Sequence, residues 1–326
     1  MNNDYEYRLL RRGDLQKLED LFVAAFNTPT AKDTLKWKYF LNPNGDAILV
    51  GAFYDDFLVG SGAMIPERIN YFGTSSRVFK CTDLMTHPEH QQKGISKRIN
   101  SLLNEEVLKT QTPFSYTFCS QISTKSFIKN KWIFIAKIIN LFKPYQLLKI
   151  ICLFRKREND YIKHFNTIDD LLDEYEFNNN LSGLSIFKEI EFIKWRTNNP
   201  GYTYRLLCHY NNTNKINGYL IYSISPNKMV NVIDFDLNCS KSVIINLFKE
   251  LEFIVVINNH KGILIMALEN SALYIFAKKN GYMSNPFKKG PLHSILDFNI
   301  NLIGNSDKRL LNVKFWNFSA LSYDDI

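Results

Sequence analysis

Residues 80–107, KCTDLMTHPEHQQKGISKRINSLLNEEV, constrain the fold more than any other stretch. Cys81 to Thr86 is rich in β-compatible residues and reads as a short strand. Pro88 cannot continue a central strand and ends it. Gln91, Gly94 and Ser96 then form Q-x-x-G-x-S and lead straight into a helix. Ile95, Ile99, Leu102, Leu103 and Val107 give that helix an apolar stripe. A loop at a helix N-terminus presents unpaired N–H groups and the positive end of the dipole, which suits a phosphate. Gly94 has no side chain to block a close approach, and Lys93, Lys97 and Arg98 add positive charge. The plain alternative is an ordinary strand–turn–helix with a glycine at the helix start.

A chain of 326 residues is long enough for two domains. With 45% hydrophobic and 14% aromatic residues it can fill a core, so wholesale disorder is excluded. The formal charge of +8 suits an anionic ligand. No basic block with interleaved aromatics points to nucleic acid. The five cysteines, at 81, 119, 152, 208 and 239, are scattered without C-x-x-C and read as reduced thiols in a cytoplasmic protein. The histidines are isolated, and no metal site is expected. The opening MNNDYEYRLLRRGD lacks the apolar run of a signal peptide. Residues 127–157 are apolar and basic, but Lys137, Lys143, Pro144 and Lys149 interrupt them before a membrane span is reached. They read as a helix and connector packed between domains, lysines outward, in preference to a membrane-surface segment.

Around the central stretch the first half reads as a strand, a helix with Asp14 as its N-cap, an antiparallel meander with strands at Ala47 to Tyr54, Phe57 to Pro66, Ile69 to Phe72 and Arg77 to Leu84, the loop and helix, then a strand at Phe114 to Ser120 and a short helix over 123–132. The second half repeats it. LKWKYFLNPNG (35–45) returns as IKWRTNNPG (193–201), pairing Trp37 with Trp195 and Asn42-Pro43 with Asn199-Pro200. Asn217-Gly218 reads as a hairpin turn, and Asp234 falls in a place like that of Asp83. A repeat of this length implies two similar domains in tandem, over 1–150 and 151–326.

HPEHQQKGIS (87–96) resembles the acyl-CoA-binding motif of the GNAT superfamily of N-acyltransferases, [QR]-x-x-G-x-[GA], with Ser96 in place of the final small residue. The resemblance implies an α/β (α+β) fold of two GNAT-like domains, each a mixed, largely antiparallel sheet flanked by helices. It implies acyl-CoA as co-substrate, acetyl-CoA or a short hydroxyacyl-CoA. The binding residues would be Gln91, Gln92, Lys93, Gly94, Ile95 and Ser96, with the backbone of Leu84, Met85 and Thr86 holding the thioester carbonyl. The family often places a tyrosine general acid on the helix after the fifth strand. Here Phe127 stands in that place, Lys131 replaces the usual Gly, and Trp132 the usual aromatic. Residues 236–243, DLNCSKSV, hold no such motif, so one acyl-CoA site is expected, with the second half walling the acceptor cleft.

Amide formation from a thioester needs an amine free of its extra proton, donors for an oxyanion and an exit for the thiolate. Asp83, on the motif strand, and His87, by its titration range, are the candidate bases. A strand-edge ion pair would account equally for Asp83, and loop packing for His87. Trp37 and Asp234 are candidate acceptor contacts; the core of the repeated turn and a solvated strand end are their plain alternatives. Tandem GNAT proteins with a W-[KR]-Y-x-x-N-P-x-G segment include N-acyltransferases of nucleotide-linked amino sugars, which implies a dTDP-type amino-deoxy sugar as acceptor. The rivals are another amine (of a protein, an antibiotic or a peptidoglycan peptide) and a non-catalytic or membrane-associated module.

Overall fold

The computed structural model describes residues 5–28, 33–155, 161–168, 175–179, 182–285, 296–304 and 307–323. The first half runs β1 (Glu6–Leu9), α1 (Leu15–Phe26), α2 (Thr34–Phe40), β2 (Ile48–Tyr54), β3 (Phe57–Tyr71), β4 (Thr74–Thr86), α3 (Ile95–Leu108), β5 (Phe114–Ser120), α4 (Gln121–Lys129) and β6 (Ile133–Pro144). After α5 (Tyr145–Leu153) come β7 (Ile162–Phe165), β8 (Leu184–Ile186), α6 (Ile190–Thr197), β9 (Tyr204–Tyr210), β10 (Ile216–Ile224) and β11 (Met229–Phe235). Then follow α7 (Lys241–Ile257), β12 (Gly262–Leu268), α8 (Ala272–Lys279), β13 (Met283–Ser284) and β14 (Leu296–Leu302).

These strands form one mixed sheet in the order β1-β2-β3-β4-β5-β14-β6-β12-β11-β10-β9-β7. Two pairs are parallel, β4 with β5 and β11 with β12; the others are antiparallel. The fold is therefore mixed α/β, with a largely antiparallel sheet flanked by helices. Helix α3 buries Ile95, Ile99, Leu103 and Val107 against the first half of the sheet. At Gly60 on β3 a Cβ would meet Ile95 at 2.5 Å, so the glycine lets α3 lie close. Helices α1 and α2 cover the opposite core with Leu18, Leu21, Tyr39 and Phe40. Helix α7 packs the second half through Leu247, Leu251 and Val255.

Three expectations are corrected. Residues 127–157 are not a helix and connector: β6 occupies their centre, paired on both edges by β14 and β12. Its apolar run is explained by burial inside the sheet, where Ile138 and Leu141 are fully enclosed. Lys137 and Lys149 point outward, but Lys143 is buried, its ammonium 2.5 Å from Glu252 and 3.0 Å from the Asn280 carbonyl. Lys156 and Arg157 lie outside the described residues. Second, Asn217-Gly218 is inside β10; the turn is made by Asn211 to Lys215, where the Asn211 carboxamide accepts from Thr213 and Lys215 N–H. Gly218 is small because a Cβ there would meet Val243 of α7 at 2.5 Å. Third, the two strands expected around Pro66 are one, β3. Pro66 needs no edge donor because β2 pairs with β3 as far as Met64 and β8 joins only at Ile69. Among the described residues, no helix is long and apolar enough to cross a membrane.

Candidate active site

The site begins where two parallel strands part. β4 and β5 pair over Phe79–Cys81 and Ser115–Thr117 and then separate. Just beyond, the register between β3 and β4 shifts, with Asp83 in the left-handed region at φ 49°. A bulge of this kind re-aims side chains and ends pairing. Between the parted strands lies a cleft of ≈ 360 Å³, walled by Asp83 and Leu84 of β4, Phe118 and Cys119 of β5, Phe127 of α4, and Tyr323. Ser96, at the start of α3, also lines it.

Asp83 is held from α2. Its Oδ2 accepts from the Lys38 ammonium at 2.7 Å and the Tyr39 hydroxyl at 2.6 Å. Both charged side chains are about nine-tenths buried, at 8% and 11% exposure, so each compensates the other's desolvation. Beneath the cleft Lys80 pairs with Glu67 at 3.0 Å, and the Tyr116 hydroxyl donates to the same Glu67. The cleft thiols are not poised for attack: burial pushes Cys119 up to about 11 and Cys81 higher still.

The motif loop lies beside this cleft. After the short turn Pro88–His90, Gln92 at φ 63° and Gly94 at φ 79° turn the chain into α3. The first helical bond of α3 runs from Arg98 N–H to the Gly94 carbonyl at 3.1 Å. The N–H groups of Ile95, Ser96 and Lys97 have no acceptor among the described residues. A Cβ on Gly94 would meet nothing within 4 Å, so its positive φ rather than a protein neighbour demands glycine, and the space above the loop is open. Gln91, Gln92 and Lys93 are exposed there, and Ile95 is buried as the first anchor of α3. Met85 is also buried, in the core under α1 and α2, and Thr86 pairs with Gly60 at the end of β4, so these two residues offer backbone rather than side chain.

The other candidates lie elsewhere. His87 does not line the cleft; its N–H bonds the Val59 carbonyl at 2.8 Å, and its Nδ1 accepts from Glu89 N–H at 3.4 Å. Phe127 does line it, 3% exposed and set edge-on to Trp132 at 4.9 Å. Trp37 does not line the cleft. Its ring stacks on Trp195 at 4.7 Å, and each indole N–H donates to the other's backbone carbonyl, at 2.8 and 3.1 Å. Asp234 does not reach the cleft either. It is bound to Lys188 at 2.7 Å and Tyr219 at 2.6 Å in a separate cavity of ≈ 20 Å³. That cavity is the second-half counterpart, beyond the point where β11 and β12 cease to pair. Tyr175 and Phe177 fill it, both edge-on to Tyr219. Lys38, Tyr39 and Tyr323 were not anticipated. A signal for the first two existed: the repeat reads Lys38-Tyr39 after Trp37, but Arg196-Thr197 after Trp195.

The sequence profile of the acetyltransferase (GNAT) domain matches residues 6–125, which carry the cleft strands, the loop and α3. This part of the chain is thus similar to a GNAT acetyltransferase domain. The whole fold is similar to that of an Enterococcus faecalis protein of unknown function described as a probable N-acyltransferase, with TM-score 0.70 and 12% identity over 92% of this chain and 72% of that one. It is also similar to GCN5-related N-acetyltransferases from Anabaena variabilis, at TM-score 0.68 and 10% identity over 92% and 73%, and Kribbella flavida, at 0.64 and 10% over 92% and 71%. At such identities the likeness is one of fold. No curated protein sequence matches the chain.

Proposed function

We propose that the chain is an acyl-CoA-dependent N-acyltransferase whose acceptor is the amine of a nucleotide-linked, dTDP-type amino-deoxy sugar in the cytoplasm. The observation that carries the transferase reading is the pairing of two features: strands that part at the Asp83 bulge, and a helix start beside them with three N–H groups that have no acceptor among the described residues. The N–H groups and Lys93, Lys97 and Arg98 would take the coenzyme's phosphates. The thioester would enter between β4 and β5, its carbonyl oxygen turned to the backbone of Leu84–Thr86. Asp83, held through Oδ2 by Lys38 and Tyr39 at the bulge, would orient the attacking amine and receive its proton. The acyl group is acetyl or a short hydroxyacyl chain. Residues 1–150 would act as the acyl-CoA domain and 151–326 as its degenerate copy, in keeping with the filled counterpart cavity. The sugar acceptor rests on the W-K-Y-x-x-N-P-x-G segment and the net charge of +8, which suits a nucleotide diphosphate.

The test is calorimetric titration with coenzyme A and acetyl-CoA. Wild type is expected to bind and Gly94→Glu to lose binding at least about tenfold, since a carboxylate replaces open space facing the phosphates. Ser240→Leu, at the cap of the second-half helix α7, should leave binding intact. Binding that survives Gly94→Glu overturns the site. Thiol release from acetyl-CoA with a dTDP-linked amino sugar then tests the acceptor, and a rate equal to background rejects it.

A further inference from the structure

Helix α5 is apolar on both of its sides, but the protein covers only one. Leu148 faces inward, fully buried in the core shared with α7 and α8. On the opposite side Ile150, Leu153 and Phe154 are 57%, 74% and 86% exposed. At i, i+3 and i+4 they form one outward ridge, with exposed Lys149 one turn from Leu153. A helix apolar all round is normally enclosed. Large apolar groups exposed together, unlike single ones, mark an interaction surface. The charges around the ridge decide what covers it. From Val107 to Arg157 the sequence holds ten Lys and Arg residues and no Asp or Glu. Helices α5, α7 and α8 together carry two carboxylates, Glu250 and Glu252, both buried. Glu250 is paired with His164 at 2.9 Å, and Glu252 with Lys143 and Arg155, each at 2.5 Å. Lys149, Lys278 and Lys279 are exposed, and Lys249 and Lys279 line a groove of ≈ 370 Å³ between α5, α7 and the end of α8. A second copy docked ridge to ridge would set these like charges against each other. A negatively charged lipid surface satisfies both the apolar ridge and the cations.

We propose that α5 attaches the protein peripherally to an anionic bilayer surface. Its nine residues span about 14 Å, far short of a hydrocarbon core of about 30 Å, so the helix lies along the interface. Ile150, Leu153 and Phe154 enter the boundary between headgroups and acyl chains. Lys149 keeps its stem on that apolar surface and turns its ammonium to the headgroup phosphates, which the groove lysines also meet. The sequence continues with Arg155, Lys156 and Arg157, a run of one sign where the ridge ends. No residue of α5 lines the cleft between β4 and β5, and the inference does not rest on the acyl-CoA reading.

The test is flotation of the full chain with two kinds of vesicle, phosphatidylcholine alone and phosphatidylcholine mixed with phosphatidylglycerol. Wild type should float with the mixed vesicles, far less with the neutral ones, and added salt should weaken the binding. Leu153→Ser combined with Phe154→Ser should lower the partition coefficient on mixed vesicles at least about tenfold. Lys149→Gln should lower it about fivefold there, the effect of one cation near an anionic surface. These side chains are exposed, so the melts of the variants should superimpose on that of wild type. No binding of wild type to the mixed vesicles, or binding that the Leu153 and Phe154 double substitution leaves unchanged, overturns the proposal. So does a dimer in sedimentation velocity that the same double substitution splits, because a second copy then covers the ridge.

Discussion

Asp14 stands between β1 and α1 and ties them together with one carboxylate. Arg8 donates to both of its oxygens, at 2.7 and 2.9 Å, and the Arg11 N–H donates at 2.9 Å. The Arg8 guanidinium, with this backbone donor, holds the carboxyl down at about 2, against burial that works the other way. A folded value below the unfolded one stabilises the protein above the ordinary carboxylate range, and that contribution is lost as pH falls through about 2. Arg8 is 37% exposed, so solvent screening reduces it to about 1 kcal/mol. Asp14→Asn should therefore cost about 1 kcal/mol at neutral pH in urea melts, and the gap to wild type should close toward pH ~2. An equal gap at both pH values refutes the assignment. Sequence places Asp14 at the head of the helix, as a cap, and there it sits. Its carboxylate nevertheless bonds no N–H of α1, because Arg8, two strand residues from the turn, offers a charged fork. The same gap separates what sequence shows of Asp83 from what the site does with it. Its place on the motif strand follows from local pattern, but the bulge and the grip of Lys38 and Tyr39 depend on how α2 crosses the sheet.

The two helices that follow the parted strands make a natural comparison. α4 is capped by Ser120, whose hydroxyl accepts from Ser123 N–H, and α8 by Ser271 in the same manner. Both end in a reversal in which an aromatic N–H, of Trp132 or Tyr282, returns to a helix carbonyl at 3.1 Å. The residue before the aromatic is left-handed in each: Gly281 at φ 82°, but Lys131 at φ 68°. A side chain pays about 1–2 kcal/mol in that region, partly offset by the greater unfolded freedom of glycine. Lys131→Gly should thus raise stability by about 0.5–1 kcal/mol, read as a higher urea midpoint at unchanged slope. A lowered midpoint shows that exposed Lys131 has a contact outweighing its strain. Such ends are legible because capping and reversal are set by near neighbours. So are α3, with its helical stripe, and the glycine that starts it. β6 is not, since an apolar segment enclosed on both edges carries no alternation to separate strand from helix. Nor does sequence reveal that Tyr175 and Phe177 fill the second cavity or that Tyr323 enters the first, for these contacts join segments far apart in the chain.

At the scale of the molecule, the halves exchange strands. β6 belongs to the first half by sequence, yet Ile138–Pro144 pair antiparallel with Gly262–Leu268 of β12. β14, from the second half, lies between β5 and β6, pairing with Phe114–Ser120 on one side. The stacked Trp37 and Trp195, with reciprocal hydrogen bonds, fasten the repeated turns to each other. Residues 1–150 alone would leave β5 without its antiparallel neighbour and β6 bare along both edges, open backbone that invites aggregation. They would also lose Phe298, Ile300 and Trp316, each fully buried. At about 1.5–3 kcal/mol per buried large apolar side chain, that loss is comparable with the whole stability of an ordinary domain, about 5–15 kcal/mol. Residues 151–326 alone would lack β6, the strand that closes β12. Expressed separately, neither half should give a soluble product with a cooperative melt, whereas the two coexpressed should associate and be purified together. The intact chain should unfold in one transition, coincident by circular dichroism and tryptophan fluorescence, because the interface between the halves is built from the sheet itself. A soluble, cooperatively folding 1–150, or two separated transitions in the full chain, would show instead that the exchanged strands are additions to two self-sufficient domains.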